Sequence, residues 1–330
     1  MMRRRTFIAA SLGAAAGAAG HGAAGAPRID AALHTGAALA FGTTVNVAVR
    51  HRDARLARAA IADALAALQG VDRLMSIYSP DSEVFRLNRD GFLARPDPRL
   101  LVVLGHARAL SALTQGAFDI TVQPLWQLFN AAADGLPPPH ARGLAGARVG
   151  WRRVEADRAR VLFGKPGMAI TLNGLAQGYA ADLALAALRA RGIDHALVNT
   201  GEFAALGAPR ATRPWLLGVA DPREAGALAA TVALDGRSMA TSGDYASSFT
   251  PDFSHHHIFD PATSESPREM ASVTVLAPTG IEADGLSTAF VVMGARRAHA
   301  LAAHLPGVDL MTINKRGEVW KSPAFAAKAA

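Results

Sequence analysis

The feature that most restricts what this chain can fold into is residues 171–188, TLNGLAQGYAADLALAAL, where a short polar turn runs straight into an alanine-rich segment. Leu175, Tyr179, Leu183 and Ala187 recur at helical spacing as one apolar stripe, and Gly192 stands where a left-handed C-terminal cap belongs. The pattern predicts a helix from Asn173 to Arg191, and its stripe must be covered by another layer of the fold. The turn before it, Thr171-Leu172-Asn173-Gly174, has two uses. Asn173 suits an N-cap. Backbone N–H groups and side-chain oxygens of such a turn also suit a phosphate or a metal.

The remaining pattern mixes helices and strands. Residues 53–75 and 100–115 carry apolar residues at three- and four-residue spacing and predict helices, as does 280–295. The β-branched run GTTVNVAVR predicts a strand; further strands are expected at 158–163, 168–172, 196–199, 215–220, 229–234, 255–260 and 271–277, with a last pair near 309–321. Strict βαβ alternation is missing, so the expected class is α+β rather than a doubly wound parallel sheet.

The opening MMRRRTFIAASLGAAAGAAGHGAAGA reads as a twin-arginine signal over residues 1–26, with Arg4-Arg5-Thr6-Phe7-Ile8 at its head and a weakly apolar stretch behind. A Sec signal or an uncleaved anchor is the competing reading. The expectation is a periplasmic protein whose residues 27–330 form one domain. Without Arg3, Arg4 and Arg5 the formal charge of +7 drops to +4, and the remaining charges are interspersed, which argues against nucleic acid. No later segment has eighteen uninterrupted apolar residues, so the mature chain is not expected to span a membrane. The absence of cysteine excludes disulfides, thiolate metal sites and a lipidated cysteine.

No G-x-G-x-x-G follows a strand, and no Walker sequence, G-x-S-x-G or H-E-x-x-H is present. In PTGIEADGLSTAF, Thr279 and Glu282 have capping-box spacing, which leaves Asp284 without a capping role. Asp284 and Thr288 lie four residues apart on one helix face and offer two hard oxygens to Mg²⁺ beside a phosphate; a solvated Asp and an ordinary Thr are the plain alternative. Gly285 costs a helix roughly 1 kcal/mol relative to Ala, which points to a close approach. In SHHHIFDPATSESP, a strand would put His255 and His257 on one face and His256 on the other, as metal ligands, acid–base groups or ordinary histidines. QGAFDITVQPLW sets Phe118 and Asp119 before a strand-like run ending at Pro124, and MSIYSPDSEVFRLN puts Tyr78 in a turn before a short helix capped by Asp81 or Ser82. MATSGDYASSF reads as a tight loop.

Taken in order from about residue 41 to 293, these blocks, with VNTGEFAALG and SVTVLAP, resemble the ApbE family of FAD:protein FMN transferases. The resemblance implies a mixed fold of two fused α/β lobes with FAD in the cleft between them. It implies Mg²⁺-dependent transfer of FMN onto a Thr or Ser hydroxyl of a partner protein, with AMP leaving. Some members instead hydrolyse FAD to FMN and AMP, and a catalytically silent FAD-binding maturation protein is a third alternative. On this resemblance Asp284, Thr288 and the Gly174 carbonyl are the metal ligands, and His257, with Asp284, is catalytic through phosphate contact or proton transfer. Phe41, Tyr78, Ala117, Phe118, Asp119, Thr171 and Gln177 would contact FAD.

The chain departs from the family pattern D-L-G-G-I-A-K-G, reading Thr171-Leu172-Asn173-Gly174-Leu175-Ala176-Gln177-Gly178, and has Thr200-Gly201-Glu202 where G-G-D/E is common. Its leader and T-L-N-G run resemble exported relatives linked to nitrous oxide respiration. That implies a membrane-bound regulatory flavoprotein with an extracytoplasmic FMN domain as acceptor.

Overall fold

A computed structural model describes residues 31–132, 136–209 and 213–328; the expected twin-arginine signal at 1–26 lies outside them. The first elements form a hairpin, β1 (Ala32–Ala40) and β2 (Thr43–His51), closed by Phe41 and Gly42 with φ of 54° and 72°. Two successive positive φ values match the right-handed twist of paired strands. Asp53 then caps α1 (Ala54–Met75), accepting from the N–H groups of Arg55 and Leu56 at 2.8 and 3.1 Å. Ser82, not Asp81, caps α2 (Glu83–Asp90). The chain continues through β3 (Phe92–Ala94), α3 (Pro98–Leu113), α4 (Gln123–Ala131), α5 (Pro139–Gly146), β4 (Val154–Ala156) and β5 (Arg160–Phe163). After α6 (Ala176–Ala190) come β6 (Ala196–Asn199), β7 (Phe203–Leu206), β8 (Leu216–Ala220), β9 (Leu228–Ala233) and β10 (Ser238–Gly243). The C-terminal part is β11 (Met270–Ala277), α7 (Gly280–Ala302), β12 (Asp309–Asn314), β13 (Val319–Lys321) and α8 (Pro323–Lys328).

Eight strands make one sheet in the order β1-β2-β6-β7-β10-β11-β12-β13, with every neighbouring pair antiparallel. The class is therefore α+β, as the irregular order of elements predicts. Helices α1, α6 and α7 cover one face, joining β2 and β6 in one core cluster and β10–β12 in another. The β8–β9 hairpin and Phe325 of α8 cover the opposite face through Trp215, Leu217, Val232 and Met311. Strand β11 is buried along all eight residues because it is covered on both faces.

Five sequence expectations about local structure fail. Residues 168–172 form no strand, because the Asn88 side chain takes the place of a partner, exchanging bonds of 2.7 and 2.8 Å with the N–H and C=O of Ile170. Strand β5 pairs instead with β3 and β4. The run 119–124 turns helical: Asp119 caps a 3₁₀ turn at Ile120–Val122 and Pro124 sits in the first turn of α4. Residues 255–260 carry only isolated bridges, and residues 241–243 of the expected loop belong to β10. Asn173 does not cap α6, which starts at Ala176 behind Leu175 without a side-chain cap on that residue.

The capping comes from across the helix crossing. Asp284 of α7 accepts the Gly178 N–H of α6 at 3.0 Å, while Asp182 of α6 accepts the Gly280 and Ile281 N–H groups of α7 at 2.6 and 3.0 Å. The two main chains touch at their glycines: a Cβ on Gly178 would lie 2.1 Å from the Gly280 carbonyl oxygen and 2.8 Å from Asp284 Cβ. Gly285 answers the close approach its position implied, since a Cβ there would meet Leu110 at 2.5 Å and Leu175 at 2.8 Å. Gly178→Ala should therefore lower the unfolding free energy by about 1–3 kcal/mol through overpacking, against an intrinsic helix preference of about 1 kcal/mol for Ala. Urea unfolding measures this; an unchanged or raised midpoint would show that the helices part without cost.

Candidate active site

Where α6 and α7 cross beside β10, the irregular segments 117–123, 171–174 and 246–259 leave a cleft. Ala117, Phe118, Asp119, Thr171, Gly174, Gln177, His257, Asp284 and Thr288 all line it. Two of the predicted contacts do not. Phe41 sits in the β1–β2 turn, packed on the core under α1. Tyr78 is 60% exposed, with its ring edge-on to Trp126 at 6.3 Å; Trp126 does line the cleft. Gln123, Glu202, Thr241, Ser242 and Val292 also face the cleft and were not anticipated. Of these the sequence singled out Glu202 by number, as the acid of Thr200-Gly201-Glu202 where G-G-D/E is common, and the others only as members of quoted blocks or of the last helix.

Asp284 is 3% exposed, and burial pushes its carboxyl up to about 7, aided by the nearby charge of Asp182 and opposed by the Gly178 N–H bond. Glu202 is raised well above its usual range by burial of its carboxylate and then by the charge of Asp284. No Lys or Arg pairs with either among the described residues, and none lines the cleft. One turn beyond Asp284, the Thr288 hydroxyl meets Ser242 Oγ at 3.0 Å. The main chain at Gly174 closes on the same spot: a Cβ there would stand 3.0 Å from Thr288 Oγ1 and 3.4 Å from the Phe118 ring. Asp284 and Thr288, with the Gly174 main chain beside them, thus bring together oxygen donors and uncompensated negative charge, which suits a hard divalent cation.

The opposite lip is held by ion pairing. Asp244 is fully buried and takes two bonds from Arg223 at 2.8 and 2.7 Å, with Lys315 at 3.4 Å. The Lys315 ammonium also donates to the Phe253 carbonyl at 2.5 Å. Beyond Asp244, the Ser247 carbonyl accepts from both the backbone N–H and the Nδ1 of His257, at 3.0 and 3.1 Å. A carbonyl partner on Nδ1 places the neutral ring's proton there and the lone pair on Nε2. The other histidines go elsewhere. His255 stacks on Phe129 at 5.9 Å beside Glu265, and buried His256 bonds to the Pro267 carbonyl at 3.1 Å, with burial lowering its pKa to about 4. Without a strand at 255–260, the three rings share no metal site.

Asp119 is buried at the far wall, accepting from Thr121 N–H and Oγ1–H at 2.8 and 2.6 Å and from Trp151 N–H at 2.9 Å. Burial raises its pKa against these bonds. It anchors the 117–121 turn as well as facing the cleft.

The ApbE family model matches residues 41–312. The chain belongs to the ApbE family. A protein named FAD:protein FMN transferase from Salmonella typhimurium is 32% identical over 303 residues, and one of the same name from Klebsiella pneumoniae is 31% identical over 303; each match covers 86% of both chains. The crystal structure of the ApbE protein of Thermotoga maritima superposes with a TM-score of 0.81 at 28% identity, over 90% of this chain and 99% of its own. The flavin transferase ApbE of Vibrio cholerae gives 0.80 at 26% identity, over 90% and 99%.

Asp284 makes the site's electrostatics measurable. With cations chelated, the folded protein holds this proton up to about 7, against 3.8 for the ordinary carboxyl. The folded state then binds the extra proton, so unfolding free energy falls as pH rises through that window. Asp284→Asn, which keeps an acceptor for Gly178 N–H, should flatten the fall and leave the chelated protein more stable than wild type above it. Equal declines in urea midpoint for both proteins would overturn this.

Proposed function

We propose that this ApbE-family transferase moves FMN from FAD onto a Thr or Ser hydroxyl of an exported flavoprotein, releasing AMP, with Mg²⁺ held by Asp284, Thr288 and the Gly174 carbonyl. The observation that carries the reading is a cleft with the buried Asp284 carboxylate, an adjacent hydroxyl and no Lys or Arg among its described lining residues. A pyrophosphate cannot sit against uncompensated carboxylates unless a cation lies between them. When bound, Mg²⁺ neutralises charge on the phosphoryl oxygens, worth several kcal/mol at the transition state.

The chain's own groups do the rest. The acceptor oxygen attacks the FMN-side phosphorus as the bond to the AMP oxygen breaks. His257 Nε2 carries the lone pair that takes the acceptor proton, with the ring fixed through Nδ1 by Ser247. Phe118 and Trp126 supply the apolar and aromatic wall for the flavin or adenine ring. Thr171 and the other neutral residues of the turn bind FAD through hydroxyl and amide hydrogen bonds. The twin-arginine leader supports a periplasmic site of action, and the resemblance to nitrous-oxide-linked relatives supports a membrane-bound regulatory flavoprotein as acceptor.

Mass spectrometry tests this on purified protein with FAD, Mg²⁺ and a candidate acceptor domain. The acceptor should gain the mass of FMN, a chelator should stop the reaction, and Asp284→Ala should slow it about a hundredfold or more. Free FMN and AMP without acceptor labelling would instead mark an FAD pyrophosphatase. Tight FAD binding without turnover would mark a silent maturation protein.

A further inference from the structure

Gln177 and Thr200, two of the positions where the chain departs from its family's pattern, meet in space. The Gln177 side-chain amide donates to the Thr200 carbonyl, and the Thr200 hydroxyl donates back to the Gln177 carbonyl at 3.1 Å. Thr200 is fully buried, and its hydroxyl also contacts the Glu202 carbonyl at 3.2 Å and accepts the Glu202 N–H at 3.4 Å. Gly201 between them adopts φ of 103°, where a Cβ would stand 2.4 Å from Gln177 Nε2. The carbonyl and hydroxyl of Thr200 thus tie this turn to the first turn of α6, while the Thr200 and Gly201 N–H groups bond to the Glu202 carbonyl and to Asn199 Oδ1. Glu202 projects from it into the cleft, where Oε2 accepts the Thr241 N–H at 3.1 Å. The next residue of α6, Gly178, holds Asp284 at 3.0 Å.

Consecutive residues thus set two of the three carboxylates of the cleft, Glu202 through a side-chain amide and Asp284 through a backbone N–H. We propose that Gln177 is a positioning residue, paired with Thr200, which fixes Glu202 so that its charge joins that of Asp284 in holding the divalent cation. A cationic side chain at 177 would lie within reach of Glu202 and cancel part of that charge; a neutral amide keeps the turn's hydrogen bond and leaves the carboxylate to the cation. Gln177 on this view acts through Glu202 rather than by touching FAD. The inference rests on the divalent site of the proposed reaction, but not on the transfer itself.

Mn²⁺ alone, titrated into the mature protein without FAD or acceptor and followed by the electron paramagnetic resonance of the free ion, tests it. Glu202→Gln, isosteric and keeping the bond to Thr241 N–H, should weaken Mn²⁺ binding about tenfold or more. Gln177→Ala and Gln177→Lys should each weaken it, the second despite restoring a donor to the Thr200 carbonyl. Wild-type Mn²⁺ affinity in Glu202→Gln would overturn the proposal even if Gln177→Ala failed to fold. So would a Gln177→Ala protein that loses FAD affinity while keeping Mn²⁺ affinity. Failure of FMN transfer with intact Mn²⁺ responses would sink the transferase reading alone.

Discussion

The architecture turns on two helix N-termini that meet. An α-helix begins with N–H groups that have no partner of their own and a partial positive charge. Where α6 and α7 cross, each supplies the carboxylate that the other needs: Asp182 for Gly280 and Ile281, Asp284 for Gly178. Such an exchange requires the main chains to touch, and only glycine at 178 and 280 permits it. The carboxylate proposed to bind the cation is thus already a structural ligand. One of its oxygens is engaged with α6 while the residue lines the cleft, so its position is fixed before any substrate arrives. Burying it beside Asp182 costs stability in the absence of a cation, as the raised pKa records.

The antiparallel sheet delivers the second wall. Because β10 lies between β7 and β11, its Thr241 and Ser242 come up beside the Glu202 turn and the α7 face that carries Ser287 and Thr288. The chain leaves β10 at Asp244, where three distant loops are gathered on one buried carboxylate by Arg223, Lys315 and the ring of Phe253 beneath Arg223. Removing one partner from such a buried pair leaves an uncompensated charge, so the lip that orients His257 is held rigidly. Helical and loop walls therefore meet the same requirement by different means, one with backbone N–H groups and the other with ion pairs.

Long periodic segments made the frame legible in the sequence: α1, α3, α6 and α7 stand where apolar spacing placed them, and β11 where a β-branched run did. Strand β1 was not legible, because ALHTGAALA carries small residues that a hairpin turn and the sheet, rather than propensity, make into a strand. Residues 168–172 misled because their backbone partner is the side chain of Asn88, a contact 82 residues away. In the cleft, the spacing of Asp284 and Thr288 was readable within one helix. The cap on α6 was not, since it comes from residue 284 rather than from Asn173 beside it. Gln177 looked like a lost charge as long as it was considered apart from Thr200.

Charge decides what a cleft like this can bind. Asp119, Glu202 and Asp284 line it, His257 is the one histidine among its described lining residues, and the burial that raises these carboxylates also weakens water's screening of any anion placed beside them. For an anionic substrate such as the FAD of the proposed reaction, the protein alone is repulsive. In the proposed reaction a divalent cation held at Asp284 would reverse that sign for the phosphates. Substrate and cation must then strengthen each other's binding by the same factor, since linkage is reciprocal. Specificity for a pyrophosphate over a ring system of similar shape would follow from that arrangement: the aromatic wall accepts many rings, but only a ligand with phosphate oxygens would gain from the cation that offsets the buried carboxylates.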